Sequence, residues 1–410
     1  MLSAKRAITG ALFLFVLFFL LSQTQESAAP LPTSDVTSKN AKTGSAASTA
    51  SPSTTNTKTN LDAKGPANAI DSSAATAQKP LMDTSKMSLR EKLEYTYSYN
   101  VASKFPAYIW QTWKYTPADG RFNFREQEAS WSIQHPGFIH EVITDAVAYP
   151  LIRLLYASTP EIIEAYQSLP MPVLKADFFR YLILFARGGI YSDIDTHALK
   201  SASEWVPKSM SRDSFGLVIG IEADPDRPDW AQWYSRRIQF CQWTIKAKPG
   251  HPVLREIIAR ITEETLTRKA AGKLAHFNDR NVIEFTGPAV WTDVIMDYLN
   301  SPHYFKTDDA PAPNITWANF TGMTSTRRVG DVVVLPITGF SPGVEQMGAQ
   351  GIDDPAAMVS HDFEGTWKPE DERNIGKEGT QEERDAKAKA EAKAKSKPKS
   401  TVRSRRKNRS

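Results

Sequence analysis

Cysteine is almost missing from this chain of 410 residues; Cys241 stands alone. No disulfide within the chain can form, so the fold must rest on its core, which a chain of this length can build. A single thiol reads first as a small buried apolar side chain. Net charge is nearly absent too, at +4. Fourteen Lys and Arg lie between positions 370 and 410 against eight Asp and Glu, so the remainder carries −2. Nucleic-acid-binding domains carry their positive charge on a folded face; this distribution argues against such a domain, and a nucleic-acid binder acting through the basic tail is a distant alternative. A Gly-rich phosphate loop and a Ser-His-Asp arrangement are also missing, which removes two large enzyme classes.

Long apolar runs are limited to one, from Ala7 to Leu21, preceded by Lys5 and Arg6. It is short for an average span of about 20 residues, as suits thin early secretory membranes. The expectation is a signal-anchor transmembrane helix over 7–22, with residues 1–6 cytoplasmic by the positive-inside rule. The competing reading is a cleaved signal peptide, with Ser27-Ala28-Ala29 as the nearest cleavage site. Residues 23–88 are Ser, Thr, Ala, Asn and Pro with few large apolar side chains, a disordered stem. Residues 370–410 form a disordered, charged and basic tail. Arg403 to Arg409 has the look of a nuclear-localisation patch, which is not read in a lumen.

Folded character spans 89–369. Phe105 to Trp110 and Phe138 to Thr144 read as strands, and Glu161 to Leu169 as a short helix. Pro172 to Ala186 is a stronger helix with proline in its first turn, ended by Gly188-Gly189. Ile190 to Ile194 and Phe215 to Ile221 read as strands. His251 to Leu266 is an amphipathic helix with Leu254, Ile257, Ile258 and Ile261 on one stripe. Gly287 to Leu299 is another helix and Val332 to Leu335 a late strand. The alternation predicts an α/β fold with a mostly parallel sheet flanked by helices.

The sharpest local feature is Gly188-Gly189-Ile190-Tyr191-Ser192-Asp193-Ile194-Asp195-Thr196. Two glycines turn a helix into a strand, and the strand delivers Asp193 and Asp195. They share a face if the strand continues, or converge from strand and loop if it ends between them. Paired carboxylates suit Mg²⁺ or Mn²⁺. An Asp-x-Asp alone is common on surface loops; here it follows an apolar strand, and open α/β sheets bind ligands at strand C-terminal ends.

From Leu174-Lys175-Ala176-Asp177-Phe178-Phe179-Arg180-Tyr181 through Gly188-Gly189 to Asp193-Ile194-Asp195-Thr196, the chain resembles glycosyltransferase family 32, sugar-binding enzymes with a DXD motif. Phe105-Pro106-x-x-Ile109-Trp110-Gln111-Thr112-Trp113-Lys114 resembles that family's opening strand. Thr286-Gly287-Pro288-Ala289-Val290-Trp291-Thr292 and His361-Asp362-Phe363-Glu364-Gly365-Thr366-Trp367 resemble later motifs. With Gly220-Ile221-Glu222-Ala223-Asp224, the set is similar to the fungal initiation-specific α-1,6-mannosyltransferase branch, over roughly 105–367.

The resemblance implies a GT-A nucleotide-sugar fold, a GDP-mannose donor, Mn²⁺ with Mg²⁺ as the alternative, and an N-glycan acceptor on glycoproteins. It implies retention of configuration and a lumenal, single-pass type II protein of the Golgi membrane, in company with other Golgi mannosyltransferases. The metal ligands expected are Asp193, Asp195 and His361, a neutral imidazole able to complete the shell. The donor site expected is Trp110, Gln111, Thr112, Asp177, Arg180, Tyr181, Gly189 and Asp193. Trp110 is a base-stacking candidate, with core packing as its plain alternative; Asp177 and Arg180 share a helix face.

Besides Asp193 and Asp195, Glu222 and Asp224 are the catalytic candidates, orienting or deprotonating the acceptor hydroxyl, with Asp293 behind them. No carboxylate stands out as a nucleophile, which favours front-face displacement. His251 reads as structural; His135, His140, His197, His276 and His303 show no convincing partners. Asn314-Ile315-Thr316 and Asn319-Phe320-Thr321 are glycosylation acceptors. Alternatives are an inositolphosphoceramide mannosyltransferase, a UDP-sugar transferase, or a non-catalytic lumenal glycan-binding protein.

Overall fold

The computed structural model describes residues 83–225, 227–232, 234–274, 279–301 and 314–365. The expected anchor, most of the expected stem, the tail, Thr366-Trp367, His276 and His303 lie outside them. No helix among the described residues is long and apolar enough to cross a membrane. Asp83 to Ser88, assigned by composition to the stem, form a 3₁₀ turn and a capping box: the Ser88 hydroxyl accepts from the Glu91 N–H while Glu91 accepts from the Ser88 N–H.

That box opens α1 (Leu89–Thr96). Then follow β1 (Tyr108–Thr112), α2 (Arg125–Gln134), β2 (Ile139–Ile143), α3 (Asp145–Leu155), α4 (Pro160–Ser168) and α5 (Pro172–Arg187). Next come β3 (Gly189–Ser192), β4 (Thr196–Ala198), β5 (Leu217–Ala223), β6 (Gln239–Phe240) and β7 (Thr244–Ala247). The chain continues through α6 (Pro252–Ala270), α7 (Asp279–Phe285), α8 (Pro288–Leu299), β8 (Arg327–Val329), β9 (Val332–Leu335), α9 (Ile337–Phe340) and β10 (Val359–His361). Helices α2 and α3 were not expected. Pro150 in mid-α3 would ordinarily break a helix.

The sheet runs β2-β1-β3-β7-β5-β9-β8, with β6 added to β5. It is mixed rather than mostly parallel. Strands β1, β2, β3, β5 and β9 point one way, while β6, β7 and β8 run against their neighbours. The reason lies between β5 and β7: no helix crosses over, so the chain returns antiparallel through β6. A separate two-stranded ribbon pairs β4 with β10, His361 opposite Thr196.

Strand residues alternate between two cores. Trp110, Tyr191, Leu217, Ile219, Ile245 and Val334 pack with α5 and α6 on one face. Ile109, Ile190, Val218, Val333 and Leu335 pack with Trp131, Trp205 and Phe340 on the other. Eleven residues of α5 are buried, Leu174 and Asp177 to Ala186, because the sheet and α6 both cover it. Each large apolar side chain among them contributes about 2 kcal/mol.

The alternation also drives Lys246, on β7, into the second core at 6% exposure. Its ammonium donates to the Ala202 carbonyl at 3.0 Å and lies 4.8 Å from the Phe105 ring centre. Burial, with Arg212 and Lys248 nearby, pulls its pKa down to about 7.

Candidate active site

Strand β3 starts in a tight place. Gly188 (φ 65°) ends α5 and Gly189 (φ 99°) opens the strand. A Cβ on Gly189 would sit 2.6 Å from the Tyr108 carbonyl oxygen. These glycines set β3 against β1, and β3 then aims its C-terminal end at the site. Gly189 is itself about 13 Å of strand away from Asp193. It was expected at the donor; it is a packing residue.

The strand ends at Ser192, so the two carboxylates converge from strand end and turn. The Asp193 N–H donates to the Trp243 carbonyl at 2.8 Å, and the Thr196 hydroxyl donates to the Asp193 carbonyl at 2.6 Å. Between the carboxylates, Ile194 is buried against Phe122 and Phe124 and pins the turn.

Asp193 Oδ1 accepts from Arg180 Nη2 at 2.9 Å and from the Tyr191 hydroxyl at 3.0 Å. Arg180 Nη1 donates to Asp177 Oδ1 at 2.7 Å, and the Thr286 hydroxyl donates to Asp177 Oδ2 at 2.8 Å. Asp177 and Arg180 are each 3% exposed, so this is a buried brace, not a surface pair. Burial raises the Asp177 carboxyl to about 6, against the lowering pull of Arg180 and Thr286.

Asp195 is met from the far end of the fold. Pairing of β10 with β4 brings His361 Nε2 to 3.2 Å from Asp195 Oδ1, and the Glu364 N–H donates to Oδ2 at 3.1 Å. Burial opposes the charge on Asp195, but His361 and the Glu364 N–H outweigh it and hold the carboxyl below its usual range. Burial likewise opposes a charge on His361, and Asp195, Asp193 and Glu222 hold the imidazole above its usual value. One ligand atom each from Asp193, Asp195 and His361 lies within 4.8 Å of the others, a set able to hold a metal ion. The His361 ring sits 4.5 Å from Trp243 and 4.1 Å from Phe363, and its Nδ1 is buried without a partner. Phe363 itself has a positive φ of 50°.

Several expected site residues are placed elsewhere. Trp110 is buried under α5, its indole N–H donating to the Gly188 carbonyl at 2.9 Å, because strand alternation turns it to the core; it cannot stack on a base. Trp113, one residue beyond β1, is half-buried near the site, edge-on to Phe124 at 4.8 Å with its indole N–H unpartnered. Gln111 is fully buried. It donates to the Asp193 carbonyl at 3.2 Å and accepts from His140 Nε2 at 2.8 Å, positioning the turn from behind. Thr112 bonds the Tyr191 hydroxyl at 3.0 Å. Tyr181 is wholly internal, stacked on Trp291 and donating to Gln242 at 2.6 Å.

Glu222 does reach the site. Its carboxylate accepts from Gln239 Nε2 at 3.0 Å, and burial raises it above its usual range despite Gln239 and the nearby charge of His361. Asp224 does not: Arg237, the Thr321 hydroxyl and the Gly322 N–H, each at 2.7 Å, occupy its carboxylate. It anchors a loop and is no free base. Asp293 pairs with Arg236 at 2.6 Å.

Histidines without expected partners have them. His135 bonds the Trp131 carbonyl and the Ala202 N–H, His140 meets Gln111 and Ser132, and His197 lies 3.3 Å from Asp362. Asn314 is exposed, whereas the side chain of Asn319 closes a capping box on Thr316. Missed altogether were Gln239, Gln242 and Trp243. They follow β5 in a segment with no repeating pattern, and only the antiparallel return brings them in.

The family described as "Glycosyltransferase sugar-binding region containing DXD motif" matches residues 122–212, spanning α5, β3 and the Asp193–Asp195 turn. The chain is thus a glycosyltransferase. It is 47% identical over 294 residues to the "Initiation-specific alpha-1,6-mannosyltransferase" of Candida albicans, covering 68% of this chain and 76% of that protein. It is 46% identical to the protein of that name from Schizosaccharomyces pombe, covering 67% of each. The Saccharomyces cerevisiae counterpart is 35% identical, covering 70% of this chain and 83% of its own. The chain belongs to the DXD glycosyltransferase family and, within it, to the branch of these initiation-specific enzymes. Among solved structures, "PaToxG Glycosyltransferase" is similar at 16% identity and a TM-score of 0.33, over 52% of this chain and 74% of that one.

Proposed function

We propose that this enzyme is an α-1,6-mannosyltransferase of GT-A type that moves mannose from GDP-mannose to N-linked glycans with retention of configuration. We place it in the Golgi lumen behind an anchor at 7–22, as a single-pass type II protein whose folded domain spans 89–369. The observation that carries the reading is the convergence of Asp193, Asp195 and His361 at the C-terminal end of β3. Its support from relatives is their shared name and their coverage of most of this domain.

Two carboxylates and one imidazole fit Mn²⁺ or Mg²⁺. When bound, such an ion supplies positive charge to the diphosphate leaving group. The chain's own residues do the rest. The Asp177–Arg180 pair fixes Asp193 through Oδ1. Gln111 and Thr196 hold the turn backbone still, so little reorganisation is needed when donor arrives. Trp113 is the base-stacking residue in place of Trp110. Glu222 lies beside the acceptor and orients its hydroxyl. Asp224, held by Arg237, Thr321 and Gly322, is not free to act as a nucleophile. Front-face displacement, in which the leaving diphosphate takes the hydroxyl proton, follows.

The test titrates the full chain with GDP-mannose, UDP-glucose and UDP-galactose, with and without Mn²⁺, against an oligomannose acceptor. Mn²⁺-dependent transfer from GDP-mannose alone is expected. Asp195→Asn should lose at least a hundredfold in turnover, on the order of an oxyanion-type contact, with an unchanged melting temperature. A folded Asp195→Asn protein with near wild-type turnover would sink the assignment.

A further inference from the structure

Beside Glu222 two buried polar atoms lack a hydrogen-bond partner, Gln239 Oε1 and His361 Nδ1, while the Trp243 indole N–H interacts with the Glu222 carboxylate. Buried polar groups are paired in roughly nine cases of ten, so two orphans beside one carboxylate single out this corner of the molecule. His361 belongs to the metal end. Gln239 does not; it sits on β6 and donates to Glu222.

The hairpin of β5 and β6 carries this surface away from the metal end. Ala223 pairs with Gln239 and Ile221 with Phe240. The pairing shifts register between Ile221 and Ala223, and Glu222 and Asp224 lie at and just beyond the end of β5. Each is met by a side chain from the returning chain, Glu222 by Gln239 and Asp224 by Arg237. Two residues span at most about 7 Å, close to the breadth of one sugar ring. Over the Asp224–Arg237 pair lies Trp317, its ring centre 4.7 Å from the Arg237 guanidinium carbon. Trp317 is 45% exposed.

Its 3₁₀ turn is locked by the Thr316–Asn319 capping box, and the Thr321 and Gly322 bonds to Asp224 pin the loop behind it. An exposed indole is thus held rigid, with its supporting charge neutralised by Asp224. That arrangement suits an uncharged ring better than a phosphate. It is also separated from the donor end: β5 lies two strands from β3, about 10 Å across the sheet.

We propose that this hairpin face is the acceptor-glycan subsite. Glu222, held in place by Gln239, meets a sugar hydroxyl, and Trp317 stacks on the apolar face of the next hexose. The proposal rests on the glycan-acceptor reading above. Its test measures saccharide binding without donor, so the two can fail separately.

The full chain is titrated calorimetrically with an α-linked mannose oligosaccharide, and in a second series with GDP-mannose and Mn²⁺. Trp317→Ala should weaken saccharide binding about tenfold, Trp317→Phe less than about threefold, with donor affinity within about twofold in both. Should Trp317→Ala weaken the donor as well, Trp317→Leu decides. Recovery of donor but not saccharide affinity supports stacking, and recovery of both overturns it. Saccharide affinity unchanged in Trp317→Ala, or no saccharide binding by the wild-type chain, also overturns it. A chain that binds the saccharide through Trp317 yet transfers nothing from GDP-mannose upholds the subsite and overturns the donor assignment.

Discussion

Lys246 makes the stability of this domain depend on pH in an unusual direction. In the unfolded chain its amine titrates at its ordinary value of 10.5; folded, burial lowers that to about 7. Between these values the unfolded chain holds the extra proton. Stability therefore rises with pH across this window, by at most about 1.4 kcal/mol per unit, and the whole shift caps the contribution at about 5 kcal/mol. For a domain of this size, 1 kcal/mol corresponds to roughly 2–4 °C. The assay is thermal unfolding of wild type and Lys246→Met at half-unit steps from pH 7 to 9, below the range where tyrosines titrate. Methionine keeps the stem among Phe105 and Trp205 and loses the bond to Ala202, worth about 1 kcal/mol. The difference curve, mutant minus wild type, should fall steadily as pH rises, because only the wild type gains. A flat difference curve refutes a neutralised buried amine, and a rising one reverses its sign.

Other expectations concern the frame and the loops. Gly189→Ala places a methyl 2.6 Å from the Tyr108 carbonyl at φ 99°, so it should cost at least about 3 kcal/mol in denaturant unfolding. Asp331 accepts from the Tyr99 hydroxyl at 2.5 Å and from the Tyr298 hydroxyl at 2.9 Å, with His251 Nε2 at 3.4 Å. Against the opposing effect of burial, these partners hold its carboxyl well below the usual range. Its contribution is present above about pH 4 and is lost as pH falls below it. Asp331→Asn should flatten the acid limb of the stability curve. Mass spectrometry of secreted protein should find glycan at Asn314 in excess of Asn319, whose amide and whose Thr321 hydroxyl are both engaged.

Much of the site's skeleton was legible beforehand. The run of α5, the glycine pair and the strand leading to Asp193 and Asp195 are local patterns, and local patterns survive folding. What failed needed register. Trp110 and Trp113 are equally aromatic, and only the pairing of β1 with β2 and β3 decides which faces α5. Strand β7 hid behind Lys246, a charge where a central strand is ordinarily apolar. The antiparallel return that follows from it turned an expected parallel sheet into a mixed one. Asp224 looked like Glu222 in sequence; three donors from distant positions separate their roles.

The ribbon of β4 and β10 has a consequence for biosynthesis. His361 follows Asp195 by 166 positions, and closing a loop of that size costs about 4–5 kcal/mol of chain entropy. A nascent chain emerges with both aspartates long before the imidazole that meets them. Until the ribosome has delivered β10, the carboxylates face water without their third partner. The three side chains that converge at the end of β3 are therefore brought together last, when translation of the domain is all but finished.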